Sequence, residues 1–448
     1  MKQQQYNPLY TWRTEPEIEL ERQRFLAGCL ATIPDVKQGI YPFKDIKLTR
    51  ADIEWLLVRH EEGRGPIDWY DEQQRKRLGL DLRGADLRQI NLRNLPLARM
   101  YGGLTRNEWL LATLEQREMA AVHLEQANLS EAHLEEAILQ GAHLERATLR
   151  GVYMQGANLF RAHLNDAYLR EAHLEQAKLR GTRMEGAYLL EAHLDGTDLR
   201  NAFVDSATTL EGIMLGDEQS GFVFLADVHW GDVNLAVVNW RGVKPLGDES
   251  RARYRELHWG AGTAREKGRR LKEYHAAVRA DRQLANAMRA QGMNEEAIPF
   301  AYRAQLLQRK VYWRQMLWGQ VESIETDTPQ MGLRQSARDL WRRVRRFGSY
   351  VFSWFLDILA GYGYKPGRSL LIYILMIAGF ATCYSIFGHL PPMEAVIFSI
   401  TSFHGRGFFP GTFSLGSPIT ALAALEAVVG LFIEISFIAT FTQRFFGR

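Results

Sequence analysis

The residues with the most chemical promise lie near the C-terminus of this 448-residue chain. Thr401, Ser402, His404, Gly405, Arg406, Gly407 and Phe408 form a polar, glycine-bearing stretch between two long apolar segments. Gly405 and Gly407 allow backbone conformations that other residues resist. Non-helical backbone at membrane depth is tolerated only where it is buried in protein or lines a cavity. In a symmetric assembly Arg406 repeats as a ring of positive charge, which favours anions or excludes cations. The second apolar segment carries Glu426 and Glu434, and carboxylates inside a span mark function by default. A ring of Glu434 favours cations, so the two clues oppose each other. Each has a plain alternative: a paired or snorkelled Arg406 facing outward, and a helix-to-helix hydrogen bond at either glutamate. Ser436 and Thr440 are four apart and either line an inner passage or pack helices. Gly430 is either a bending point or a close contact. This is the chemistry of selective ion passage, not of covalent catalysis.

Such residues need spanning elements to hold them. Ser369 to Phe387 has no charged residue, and Ile419 to Phe441 has only the two glutamates. Both suit a hydrocarbon core of about 30 Å. Arg342, Arg343, Arg345, Arg346, Lys365 and Arg368 precede the first segment, and Arg444 and Arg448 follow the second. The intervening 388–418 has Arg406 as its only basic residue of this kind. The positive-inside rule then puts both termini in the cytoplasm and the connection outside, in a cell inner membrane. Pro391 and Pro392 can start a short helix, Met393 to Phe403, that dips back toward the bilayer. Trp341 to Leu359 alternates basic and aromatic residues, as an amphipathic helix at the inner interface does.

Span, short helix, glycine loop and second span together resemble the two-transmembrane pore-loop family of potassium channels over roughly the last 80 residues. The resemblance implies an outer helix, a pore helix and an inner helix, repeated around an axis in a homo-oligomer, with a tetramer expected. The family's filter resembles Thr-x-Gly-Tyr-Gly-Asp, whereas this chain reads His404, Gly405, Arg406, Gly407, Phe408. Potassium selectivity is therefore not implied. Gly361, Tyr362 and Gly363 precede the first span and read as a turn into it.

The soluble part carries a different signal. From Leu124 to Leu199 a large apolar residue recurs every five positions, Met154 and Met184 among them. The residue two before each is alanine in most units, as at Ala127, Ala132, Ala137 and Ala142. A period of five fits neither a helix nor a flat strand. Successive units must turn a corner so that each large residue returns to one axis. Leu82, Leu87, Leu92 and Leu97 make a first coil, and Leu225, Trp230, Leu235 and Trp240 a last one. This pattern, Ala-(Asp/Asn)-Leu-x-x, resembles the pentapeptide repeat family over about 80–240. The resemblance implies a right-handed quadrilateral β-helix, a solenoid with extended flat faces. Leu104 to Glu118 interrupts it with a helical pattern nearly copied from Leu48 to Leu57. Thr49 with Asp52, and Thr105 with Glu108, read as helix-start caps.

Half of the histidines occupy one slot of the repeat: His123, His133, His143, His163, His173 and His193. With about twenty residues per coil, as the resemblance implies, His123, His143 and His163 stack on one face. A pH-sensing or metal ladder is one reading. An outward slot open to any side chain is the other, since Tyr153, Tyr168 and Lys178 share it. We expect no resident metal or cofactor. The solenoid mixes glutamates with Arg146, Arg150, Arg161, Arg170 and Arg180, which argues against an acidic mimic of DNA.

Residues 284–304 look like one helix pair, similar to a single tetratricopeptide unit. Cys29 and Cys383 are too far apart in kind and place for a disulfide framework. The first residues lack an apolar core, so no signal peptide is expected. No nucleotide loop, metalloprotease motif or hydrolase triad occurs, and no enzyme is expected.

The expected architecture is mixed. It comprises an N-terminal helical cap (1–79), a right-handed quadrilateral β-helix (80–244, with a helical insertion at about 104–118) and an α-helical connector (245–333). An interfacial amphipathic helix (334–365) leads to a C-terminal two-helix transmembrane pore domain (366–448). The expected function is an oligomeric ion channel with a cytoplasmic repeat scaffold. Its partners are the lipid bilayer, inorganic ions, further copies of itself and a cytoplasmic protein on the β-helix, with no nucleic acid. The alternative is a membrane-anchored interaction scaffold without conduction.

Overall fold

The structure is a computed structural model that describes residues 12–60, 73–74, 77–243, 245–258, 263–318, 333–405 and 418–445. Two compact units emerge: Met1–Ala261 with Arg279–Ala297, and Gly262–Val278 with Ile298–Arg448.

In the first unit, helices α1 (Leu20–Leu30) and α2 (Arg50–Arg59) precede the coil. Thr49 and Asp52 cap α2 reciprocally: the Asp52 N–H donates to Thr49 Oγ1 at 3.2 Å and the Thr49 N–H to Asp52 Oδ2 at 2.9 Å. Each bond satisfies a donor that the helix start leaves open. Asp52 is buried and accepts from Arg22 of α1 at 2.9 Å, which ties the two helices.

The repeat winds as a four-sided coil. Parallel bridges link His123 to His143, Asn128 to Thr148, His133 to Tyr153 and Ile138 to Asn158, so each side returns after twenty residues. Leu124, Leu129, Leu134 and Leu139 point inward with Ala127, Ala132, Ala137 and Ala142, all fully buried. Large and small residues thus alternate around one axis, as the period of five requires. At the corners Gln126, Glu131, Glu136 and Arg146 have φ between +55° and +59°. That region costs a non-glycine residue about 1–2 kcal/mol, and glycine takes the slot at Gly141, Gly151 and Gly156. Among the described residues the sides carry isolated bridges and no longer strand runs, because each side turns a corner after one bridged residue. Between Asp86 and His123 the step lengthens, and the extra chain folds as α3 (Arg106–Leu111) and α4 (Leu114–Ala120). Thr105 donates its N–H to Glu108 Oε2 at 2.7 Å, and a further capping box joins Thr113 to Gln116.

Helix α5 (Gly247–His258) closes the last coil through Asp248. Its Oδ2 accepts the N–H groups of Leu225 and Ala226 at 2.7 and 3.2 Å, while Oδ1 is buried without a partner. Burial pushes the Asp248 carboxyl from 3.8 up to about 6. A carboxyl raised in the folded state stabilises fully below its ordinary value and loses that contribution as pH rises through the raised one. Asp248→Asn keeps an acceptor and removes the charge. The variant is expected to lose the pH dependence between about 4 and 6 and to be about 3 kcal/mol more stable than wild type near pH 8. Parallel stability-against-pH curves for the two proteins would contradict this.

Helices α6 (Ala264–Ala290) and α7 (Asn294–Trp318) follow, turning at Gly292 with φ +77°. Residues 279–290 of α6 belong to the first unit. There Arg279 clasps Asp227 with two bonds of 2.8 Å and holds that carboxyl below its ordinary range. The Gln291 side chain donates to Val233 O at 2.6 Å and accepts from the Leu235 N–H at 2.9 Å.

The second unit is helical. Helix α8 (Leu333–Ala360) exposes Trp341, Val344, Phe347, Val351, Phe352 and Phe355 on a helix that also carries Arg342, Arg343, Arg345 and Arg346. A turn at Gly361, Tyr362 and Gly363, all with positive φ, leads into α9 (Pro366–Gly388). Then come α10 (Pro392–Phe403) and α11 (Pro418–Phe445). Asp357 of α8 accepts from Tyr302 and Arg309 of α7, both at 2.8 Å, and pairs with Arg368 of α9 at 3.5 Å. One carboxylate thereby joins the connector to the base of the first apolar helix.

Two stretches, Gly367–Gly388 and Pro418–Ile438, are long and apolar enough to cross a membrane. Their most apolar windows are only 11% and 22% buried, so a core helix of a soluble protein is a poor description of either. Leu371, Ile374, Leu375, Val428, Phe432 and Ile435 are exposed. Apolar patches of that extent mark contact with lipid or with another chain.

Candidate functional site

Helix α10 lies between α9 and α11, and its apolar residues explain why. Ala395 and Phe398 pack with Tyr384 and Ala381 of α9 and Ala423 of α11. One turn deeper, Phe403 packs with Tyr373 of α9 and Ile433 of α11. Along α10 the partners on α9 step from Tyr384 back to Tyr373, while those on α11 step forward from Ala423 to Ile433. The short helix therefore runs antiparallel to α9 and alongside α11. Its 12 residues rise about 18 Å, more than half of a hydrocarbon core about 30 Å thick.

Polar groups tie this packing. Glu426 is fully buried and accepts the hydroxyls of Tyr384 at 2.6 Å and Ser399 at 2.5 Å. Each of the three helices contributes one member. Of the two roles open to Glu426, the structure contains the helix-to-helix tie, and the carboxylate is not on a face open to a passage. Gly430 is a close contact: a Cβ there meets Phe403 O at 2.1 Å. Nothing in its surroundings makes it a bending point.

At the deep end of α10 the groups are less enclosed. His404 Nδ1 meets the Glu434 carboxylate, and its Nε2 lies 3.2 Å from the Tyr373 hydroxyl. The His404 and Glu434 side chains stay 37% and 35% exposed. Thr401 and Ser402 belong to α10 itself, not to the loop after it. Thr401 donates to Phe398 O at 2.9 Å, and Ser402 is buried. Gly405 has φ +66° and open space around it, as a helix end before a turn requires. Ser436 is half-buried on α11. Arg406, Gly407 and Phe408, and the side chain of Thr440, lie outside the described residues.

The sequence reading allows a helix-to-helix bond at either glutamate but does not name its partners: Tyr384 and Ser399 for Glu426, and His404 for Glu434, escape it, as does the Asp357 junction. A signal existed for these partners in that a polar group in an apolar span must find one, and Tyr384, Ser399 and His404 are polar residues in or beside the neighbouring apolar helices.

The family model described as pentapeptide repeats matches residues 127–166 and 167–203, in 8 copies. That segment is built of pentapeptide repeats, which form right-handed quadrilateral β-helices, in agreement with the twenty-residue coil. The match includes no residue of α9, α10 or α11. No curated protein matches the chain. Among solved structures, a pentapeptide repeat protein, Rfr23, from the cyanobacterium Cyanothece 51142 is 29% identical, over 36% of this chain and 93% of that one, with a TM-score of 0.20. HetL, a pentapeptide repeat protein involved in heterocyst differentiation regulation from Nostoc sp. strain PCC 7120, is 17% identical over 42% of this chain and 82% of its own, with a TM-score of 0.19. QnrB1, a plasmid-mediated fluoroquinolone resistance protein, is 16% identical over 40% and 86%, also at 0.19.

Proposed function

We propose that the chain is one subunit of an oligomeric ion channel of an inner membrane, with the pentapeptide-repeat coil and the connector on the cytoplasmic side. The observation that carries this reading is α10, a short helix held between two span-length helices and rising about 18 Å, more than half of a hydrocarbon core. A simple tether has no need of such an element. One chain supplies a single copy, so a passage requires several around an axis, and four is the expected number. His404 and Glu434, exposed at the deep end of α10, are the groups nearest that axis, and Arg406 follows in the chain. The Asp357 junction supports a route by which the connector biases α9.

Ion flux into liposomes tests this. Wild type, Arg406→Ala and Glu434→Gln are compared under potassium, sodium and chloride gradients. Wild type is expected to conduct, Arg406→Ala to shift preference toward cations and Glu434→Gln toward anions, each by several-fold. Silence from correctly oligomeric protein, across ions and voltages, would sink the proposal.

A scaffold without conduction is the second reading, favoured by one observation on the coil. Its sides present stacked, exposed side chains, with the Tyr168 and Tyr188 rings 4.8 Å apart, 49% and 44% exposed. Such faces suit a protein partner. Under that reading, deletion of 388–418 leaves function intact.

A further inference from the structure

The histidine slot does more than stack rings. His143 Nδ1 lies 3.3 Å from Glu145 Oε1, and His163 Nδ1, one coil on, lies 3.6 Å from the same oxygen. The arrangement recurs on the opposite side of the coil. There His173 and His193 place Nδ1 at 3.3 and 3.9 Å from Glu175 Oε1. In both groups the three ligand atoms lie within 4.8 Å of one another. Ligand atoms at about 2.0–2.1 Å from a tetrahedral zinc ion stand about 3.3–3.4 Å apart. Three of the histidine–glutamate distances, 3.3, 3.6 and 3.3 Å, are near that figure and the fourth, 3.9 Å, is longer.

Three further observations point the same way. First, the rings depart from parallel where a glutamate is shared. The His143–His163 and His173–His193 planes are 20° and 27° apart, against 5° for His123–His143 and 4° for Tyr153–His173. Second, Glu145 Oε2 and Glu175 Oε2 are buried with no hydrogen-bond partner, as are Glu125 Oε2 and Glu135 Oε2. Each demands an explanation, and among the described residues two histidine Nδ1 atoms stand near one carboxylate at Glu145 and Glu175 alone, where a bound cation would supply it. Third, His143 Nε2 lies 2.9 Å from Glu118 Oε1 on α4. A carboxylate that takes the far ring N–H leaves the Nδ1 lone pair for an ion, which is the usual outer partner of a ligating histidine.

We propose that His143, Glu145 and His163, and again His173, Glu175 and His193, each hold a divalent transition-metal ion of the zinc class, with the fourth position open. Two imidazoles and one carboxylate suit zinc and its first-row neighbours better than calcium or magnesium, which take oxygen ligands. Each ion bridges two successive coils and so fastens one rung to the next. The other rungs lack the set. Glu135 faces Tyr153 in the next coil, and at Glu125 the next-coil His143 is engaged by Glu145 and Glu118.

The test uses full-length protein in detergent, stripped with chelator. It is titrated with Zn²⁺ by calorimetry and with Co²⁺ by the visible absorption of a tetrahedral site. Wild type is expected to bind two ions per chain, Glu145→Gln and Glu175→Gln one each, and the double variant none. Glu118→Gln, at an exposed position, is expected to weaken only the first site, by about 10–100-fold. Circular dichroism confirms that each variant keeps its fold. Absence of the cobalt band in wild type, or two ions still bound by the folded double variant, would overturn the proposal.

Discussion

Glu426→Ala is expected to lower the stability of the C-terminal helices by about 1–3 kcal/mol, because it leaves the buried Tyr384 hydroxyl of α9 without its acceptor. Ser399 of α10 also bonds the carboxylate but keeps Ile377 O, at 3.1 Å, as a second acceptor. Glu426→Gln retains an acceptor oxygen for Tyr384 and is expected to cost less than alanine. Thermal unfolding of detergent-solubilised protein orders the three: wild type, then glutamine, then alanine. If alanine and glutamine variants melt together with wild type, the tie does not exist. The same experiment separates the two roles open to Glu426. A pore-lining carboxylate would change ion preference and leave the melt alone.

Gly430→Val is the second large effect. The new Cβ would stand 2.1 Å from Phe403 O and 3.0 Å from its carbonyl carbon. Both are backbone atoms and cannot rotate away, so the end of α10 has to leave α11. Overpacking of this kind costs about 1–3 kcal/mol where side chains can adjust, and here the cost is expected at or above that range. Under the proposed function His404 and the loop after it are displaced as well, and flux is expected to fall at least ten-fold. Gly379 on α9 is the control, since an added Cβ there meets nothing within 4 Å. Gly379→Val is expected to melt and conduct as wild type. Equal behaviour of the two variants would show that α10 does not pack against Gly430.

The repeat was legible because its corners impose chemistry at fixed intervals. Leu124 and Ala127 had to be apolar and small in turn for the chain to close a four-sided coil, and that necessity is written in the spacing. The capping pairs Thr49–Asp52 and Thr105–Glu108 were legible for the same reason: both partners lie within one helical turn. The turn at 361–363 announced itself through its glycines. Thr113–Gln116 has the same form and could have been read from the same rule. The pore-type segment was legible only as an arrangement of lengths. The sequence reading of the short helix, Met393 to Phe403, already includes Thr401 and Ser402, and the helix is observed at Pro392–Phe403. What hydropathy could not supply is that Ser402 is buried and Thr401 bonds its own helix.

Local periodicity and apolar length, then, were determined by the sequence alone: the twenty-residue coil, the two span-length helices and the short helix between them. They depend on interactions between near neighbours along the chain. Which polar groups meet was decided by the tertiary structure. Glu426 finds Tyr384 and Ser399 across 42 and 27 positions, and His404 finds Glu434 across 30. Those partners depend on the rotation and offset of one helix against another, set by Phe398 packing with Tyr384 and Ala423 at one end and by Phe403 packing with Gly430 and Ile433 at the other. In the coil, register is close enough that His163, twenty positions after His143, lands beside the same Glu145. Whether the two rings stand parallel or tilt against each other is a matter of side-chain packing, which no spacing rule contains.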